Sequence, residues 1–195
     1  MNNPRLLAFS GSARSKSWNQ QLVQVAARHA KNLGAVVTEL NLGDLNLPIF
    51  DEDLEKESGT PAGAVQLKRL MFEHHGFLIA CPEYNSSITP LLKNAIDWAS
   101  RPAAGETPLQ AFRGKTCGLM SASPGALGGL RGLVHVRAIL GNIGVLIVPE
   151  QAAVGSVSTA FNDTMDDLKE GMPRQMLNDT VAHVVKLTRL LNAKP

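Results

Sequence analysis

Short, largely apolar runs alternate along this chain with segments whose apolar residues recur at helical spacing, and that alternation leaves few folds open. Five runs read as strands: Leu6 to Ser10, Val36 to Leu40, Phe77 to Cys81, Thr116 to Met120 and Val145 to Val148. Each is too short and too apolar for a half-exposed hairpin, so all five are expected inside a mostly parallel sheet with helices on both faces. The first helical segment carries Leu22, Val25, Ala26, Ala30 and Leu33 on one stripe and closes at Gly34. Ser17 followed by Gln20 suggests a capping box, which puts the helix start just past Arg14. Similar stripes occur at Leu67, Leu70, Met71 and His74, at Leu92, Ala95, Ile96 and Ala99, and at Leu133, Val136 and Leu140, with a last helix near Leu177 to Leu191. Asn41 to Ala62 and Pro149 to Pro173 read as long loops, either exposed excursions or rims of a site. No repeat or linker divides the chain, so residues 1–195 are expected to form a single α/β domain.

In an open doubly wound sheet the ligand lies beyond the carboxyl ends of the strands, so the loops after strands one, three and four are read together. The first holds Ser10, Gly11, Ser12, Arg14, Ser17, Trp18 and Asn19 where an apolar strand runs into a helix start. Unpaired N–H groups, the helix dipole, hydroxyls and a guanidinium make this a phosphate-holding corner. Gly11 is its only glycine and no Gly-Lys-Ser/Thr follows, which points to a monophosphate rather than a dinucleotide or triphosphate. The second loop, Pro82-Glu83-Tyr84-Asn85-Ser86-Ser87, offers an aromatic face and a polar rim suited to a flat heteroaromatic ring. Glu83 could accept from the ligand or cap a helix. The third loop runs Ser121-Ala122-Ser123-Pro124-Gly125-Ala126-Leu127-Gly128-Gly129, whose glycines let backbone approach a planar partner. Arg131 beyond it could hold a second phosphate, make a subunit contact or stand as a solvated helix charge.

Four motifs carry a resemblance: Gly11-Ser12-x-Arg14-x-x-Ser17-x-Asn19, Pro82-Glu83-Tyr84-Asn85-x-Ser87, Leu92-Lys93-Asn94-Ala95-Ile96-Asp97-Trp98 and Gly128-Gly129-x-Arg131. With them the chain resembles the NADPH-dependent FMN reductase family, close to bacterial chromate and quinone reductases. The resemblance implies a flavodoxin-like sandwich with a five-stranded parallel sheet of order 2-1-3-4-5. It implies FMN as cofactor and NADPH or NADH as donor, with ping-pong transfer to quinones, chromate, azo compounds or free flavin. By the same resemblance Ser12, Arg14, Ser17 and Asn19, with Trp18 beside them, hold the FMN phosphate. Pro82, Glu83, Tyr84 and Asn85, with Ser121 or Ser123, line the isoalloxazine, and Ser87 and Gly125 belong to the same cofactor site. No protein side chain is then needed as a nucleophile, since the flavin carries the chemistry. The family also suggests a homodimer or homotetramer, formed through the helix Leu91 to Ala99, where Leu91, Leu92, Ile96 and Trp98 span more circumference than one sheet face needs.

Other functions fit less well. A low-molecular-weight phosphatase needs an Arg closing the loop after a strand-end Cys, and after Cys81 that place holds Ser87. A serine hydrolase needs Gly-x-Ser-x-Gly, which is absent. His74 and His75 are adjacent and point to different helix faces, which suits no metal. A near-neutral balance of 19 basic and 17 acidic residues gives no footprint for nucleic acid, and it also argues against the alternative of a flavodoxin-type electron carrier, which would present an acidic docking face. Met1 to Arg5 contains no long apolar leader and no stretch is long enough for a membrane span, so a cytoplasmic location is expected, with Cys81 and Cys117 as small buried hydrophobes.

Overall fold

A computed structural model describes residues 3–193; residues 1–2 and 194–195 of the expected domain, Met1 and Asn2 of its amino-terminal reading among them, lie outside the described residues. Five strands form one sheet: β1 Arg5–Ser10, β2 Val36–Asn41, β3 Gly76–Ala80, β4 Thr116–Ala122 and β5 Leu146–Val154. All neighbours are parallel and the order is β2-β1-β3-β4-β5, the flavodoxin-like order. The helices are α1 Trp18–Asn32, α2 Glu52–Ser58, α3 Ala62–Glu73, α4 Pro90–Ser100, α5 Leu130–Asn142, α6 Val157–Ala160 and α7 Met172–Leu191, with a single 3₁₀ turn at Leu42–Leu45.

The period of two along the central strands sorts their side chains into two cores. Leu6, Ala8, Leu78, Ala80 and Met120 pack under α1 and α7, against Leu22, Ala26, Val181 and Val184. Leu7, Phe9, Phe77, Ile79 and Leu119 pack on the other side, against Leu67, Leu92, Leu133 and Val136 of α3, α4 and α5. Only β3 and β4 are buried throughout; β2 and β5, at the sheet edges, are partly exposed and carry Thr38, Glu39, Glu150 and Gln151. Cys81 and Cys117 are free and fully buried, and burial pushes both thiols well above their ordinary range. No helix of the described residues is long and apolar enough to cross a membrane.

The two long loops of the sequence reading are largely structured. Within Asn41 to Ala62 lies α2, whose acidic residues read as loop composition but serve the helix. Asp51 accepts the Asp53 N–H at 2.8 Å as cap, and Glu52, Asp53 and Glu55 sit in the first turn, where the dipole favours negative charge. Beyond Val148, where the strand was expected to stop, β5 continues to Val154 through a bulge. The register jumps from Cys117↔Ile147 to Leu119↔Gln151 around Pro149, which has no N–H to give. Arg137 staples this bulge, donating to Val148 O at 3.0 Å and Gln151 Oε1 at 3.1 Å. The last helix starts at Met172 rather than near Leu177. The capping box is half formed: Ser17 Oγ accepts from Gln20 N at 3.4 Å, while the Ser17 N–H donates to Arg14 O.

Trp98 does not extend the outer surface of α4 as expected. It is fully buried, its Nε1–H donates to Pro48 O at 2.8 Å, and the Phe50 ring meets it edge-on at 5.0 Å. Asn94 bonds the same segment twice, accepting from Phe50 N and donating to Pro48 O, both at 2.8 Å. The chain's own residues 48–50 therefore cover this indole. Replacing Trp98 by Ala should cost about 3–5 kcal/mol, the range for emptying a buried aromatic site. Equilibrium urea unfolding checks this; a loss well under about 1 kcal/mol would contradict the packing.

Candidate functional site

Strand order reverses direction between β1 and β3, so the loops leaving their carboxyl ends diverge and open a cleft. Its volume is about 280 Å³. The first loop contributes Ser12, Arg14, Ser17, Trp18 and Asn19 to its walls, the second Pro82, Glu83 and Tyr84, and the end of β4 with the third loop Ala122, Ser123 and Pro124. Elsewhere a void of about 10 Å³ lies in the core beneath Phe9, Phe77 and Ile79, but its lining is wholly apolar and offers nothing to chemistry.

The first loop is a set of donors held in place by its own backbone. Ser10 Oγ accepts the Ser12 N–H at 3.2 Å, Ser12 Oγ accepts the Arg14 N–H at 3.3 Å, and Ser17 Oγ accepts the Gln20 N–H. Each hydroxyl thereby commits a lone pair, and those of Ser12 and Ser17, which line the cleft, keep a hydrogen to donate. Ser12 and Ser17 are buried, whereas Arg14 is exposed and forms no ion pair among the described residues. Trp18 and Asn19 open α1, where backbone N–H groups have no carbonyl of their own helix to meet.

Asn19 is read from the sequence as a phosphate donor, yet its amide spans to the end of β4. Nδ2 donates to Ala122 O at 2.8 Å and Oδ1 accepts from Ala122 N at 3.0 Å. The helix start is thus bolted to the sheet. Thr89 does the same from α4, donating to Gly11 O at 2.7 Å while capping its own helix.

The second loop is a tight hairpin turn. Tyr84 and Ser87 exchange backbone hydrogen bonds at 2.9 and 3.0 Å, with Asn85 and Ser86 both at positive φ, the two-residue turn usually given to Asn-Gly. A serine in that conformation stores strain. Tyr84 is half exposed at the cleft. Asn85 stands at the turn tip, and the Ser87 hydroxyl meets His135 Nδ1 at 2.9 Å; neither lines the cleft. Ser121 is fully buried beneath Gly129, and Gly125 faces Ser123, whose Oγ accepts its N–H at 3.2 Å.

Glu83 turns away from the cleft centre to the start of α5. Its Oε1 accepts from Arg131 Nε at 2.8 Å and Oε2 accepts from Gly132 N at 3.1 Å. This occupies Arg131, and it supplies the carboxylate that α5 lacks, since its own cap is Gly129. Burial raises the Glu83 carboxyl's affinity for a proton, but the hydrogen bonds from Arg131 and Gly132 outweigh it and hold the group below its usual range. A depressed carboxyl contributes stability above its unfolded value of 4.5, lost as pH falls through the folded value. Glu83→Gln should therefore flatten the acid limb of stability measured by urea unfolding between about pH 7 and about pH 3. An unchanged acid limb would remove Glu83 from this role.

The donor set fits a phosphate monoester, and the adjoining cleft with its tyrosine edge fits a flat ring. Nothing in the sequence marked Thr89, because it acts through a capping contact, and the third loop that contains Ala122 gave no sign of its pairing with Asn19. The model of the NADPH-dependent FMN reductase family matches residues 4–159. An NAD(P)H-dependent FMN reductase of Pseudomonas aeruginosa is 34% identical over 178 residues, 89% of either chain. A quinone reductase of Escherichia coli is 31% identical over 153 residues, 78% of either chain. Among solved structures the flavoenzyme NAD(P)H:(acceptor) oxidoreductase of Paracoccus denitrificans superposes with TM-score 0.80 at 24% identity, covering 96% of this chain and 98% of that one, a likeness of fold.

Proposed function

The chain belongs to the NADPH-dependent FMN reductase family, and from that premise we propose that it is a single-domain, FMN-dependent NAD(P)H oxidoreductase. The observation that carries this reading is the cradle at the start of α1: Ser12 and Ser17 hydroxyls and an unpaired Arg14 beside open backbone donors. FMN, when bound, supplies the two-electron chemistry between a reduced nicotinamide and a second acceptor such as a quinone, chromate, an azo compound or free flavin. The protein's residues bind and orient. Ser12, Arg14 and Ser17 take the phosphate, with charge-assisted bonding from Arg14 the strongest contribution. Tyr84 and Pro82 form one wall for the ring, and Ser123 and Pro124 the other. Asn19 and Glu83, also in the walls, tie their loops to β4 and α5.

The cleft is open enough that donor and acceptor take turns in it, which gives ping-pong kinetics. Parallel double-reciprocal lines are expected; intersecting lines would refute alternation. Two free, buried thiols accord with a cytoplasmic setting. Assembly as a dimer or tetramer would use the outer side of α4, where Leu91 and Ile49, the latter 86% exposed, border an open groove.

Arg14→Ala tests the cradle. Loss of a charge-assisted hydrogen bond should weaken FMN binding by about 1.5–3 kcal/mol, roughly ten- to a hundredfold in Kd, with little change in folding. Fluorescence titration of the flavin-free protein measures it, and unchanged affinity in a folded variant would overturn the assignment.

A further inference from the structure

The stretch after β5 belongs to none of the three loops, yet it is packed against two of them. At one end it is sewn to the third loop by backbone: Ser123 N donates to Val154 O at 3.0 Å, Val157 N to Ser123 O at 3.2 Å, and Ser156 N to Gly125 O at 3.3 Å. Along this seam the chains touch with no side chain between them. A β-carbon on Gly155 would overlap Ala126 O, and one on Gly128 would stand 2.6–2.7 Å from backbone atoms of Ala153, Val154 and Gly155. Ser156 is held at φ 46, a left-handed conformation that a serine adopts only under constraint. At the other end Phe161, buried in the core, lies against the Trp18 ring at 5.6 Å between centroids, tilted 31°. Trp18 is the first residue of α1 and lines the cleft. Phe161 is itself fixed by a bridge to Leu168.

We propose that Gly155 and Phe161 are positioning residues for the cofactor site, one at each end of a brace that sets the distance between the phosphate cradle and the third loop. The proposal rests on the FMN reading. Neither residue lines the cleft, so each acts through a neighbour: Gly155 through the backbone of Gly125 and Ala126, Phe161 through Trp18. A side chain at position 155 would push the third loop off β5 and displace the ring wall formed by Ser123 and Pro124. Loss of the aromatic ring at 161 would free the Trp18 ring, which lines the cleft next to Ser17 at the phosphate cradle, while Asn19 still ties α1 to β4.

The two ends predict different signatures, read by titrating flavin-free protein with FMN and, separately, with riboflavin, which has the ring without the phosphate. Phe161→Leu keeps an apolar side chain but loses the ring contact, so FMN should bind about three- to tenfold more weakly with riboflavin unchanged. Gly155→Ala should weaken both ligands together, by about tenfold, and alter the absorption spectrum of the bound flavin. A purely structural role would lower the affinity for both ligands in Phe161→Leu in step with its thermal midpoint, which would overturn the brace, as would wild-type binding by both variants. If Gly155→Ala does not fold, the ratio in Phe161→Leu decides alone. Wild-type protein that binds neither flavin would instead refute the function on which the proposal rests.

Discussion

The pair of hydrogen bonds between the Asn19 amide and the backbone of Ala122 joins residues 103 positions apart and fixes what the site can do. A helix dipole helps an anion only when the amino end is aimed at it and stays there, since the effect fades within a turn. Asn19 sits in the first turn of α1, buried, and satisfies both backbone groups of the last residue of β4 much as another strand would. The open N–H groups of α1 are thereby held above the carboxyl ends of the strands. With the helix fixed in this way, Ser12, Arg14 and Ser17 stand beside its amino end along the cleft.

The same division between holding and binding recurs around the cleft. Glu83 lies between Pro82 and Tyr84, yet its carboxylate goes to Arg131 and Gly132, so the second loop is tied to the start of α5. Thr89 ties Gly11 to α4, and the seam after β5 ties the third loop to the edge strand. Each loop that borders the cleft is therefore anchored to an element other than the one it leaves. Anchored walls around an open mouth suit a site that keeps its cofactor oriented while smaller partners come and go.

Most of the architecture was legible because it rests on local periodicity. The strand runs from Leu6, Val36, Phe77 and Thr116 and the helical stripes of α1, α3, α4 and α5 each declare themselves within a short window. The misreadings came where one residue carries two signals. Pro149 reads as a strand end, but at a sheet edge a bulge absorbs it and Arg137 bonds the displaced carbonyl. The acidic Asp51 to Glu57 run reads as a solvated loop, although the same charges favour the first turn of a helix. At the site the loops could be found from strand ends, whereas side-chain direction could not. Asn19, Glu83 and Ser87 bond Ala122, Arg131 and His135, long-range partners that no local pattern announces. Phe161 gave no signal, being remote in sequence from the tryptophan it supports.

The central claim is that the start of α1 holds a phosphate dianion, and phosphorus-31 NMR of the FMN-loaded protein tests it most directly. A free phosphate monoester takes up its second proton near about pH 6, and its resonance moves as it does so. Donors from Ser12, Ser17, Arg14 and the helix start favour the dianion and depress that ionisation. The account predicts a bound resonance that stays fixed between about pH 5 and about pH 8, where free FMN titrates. A bound resonance that follows the free ligand through this range would place the phosphate in solvent and contradict the account.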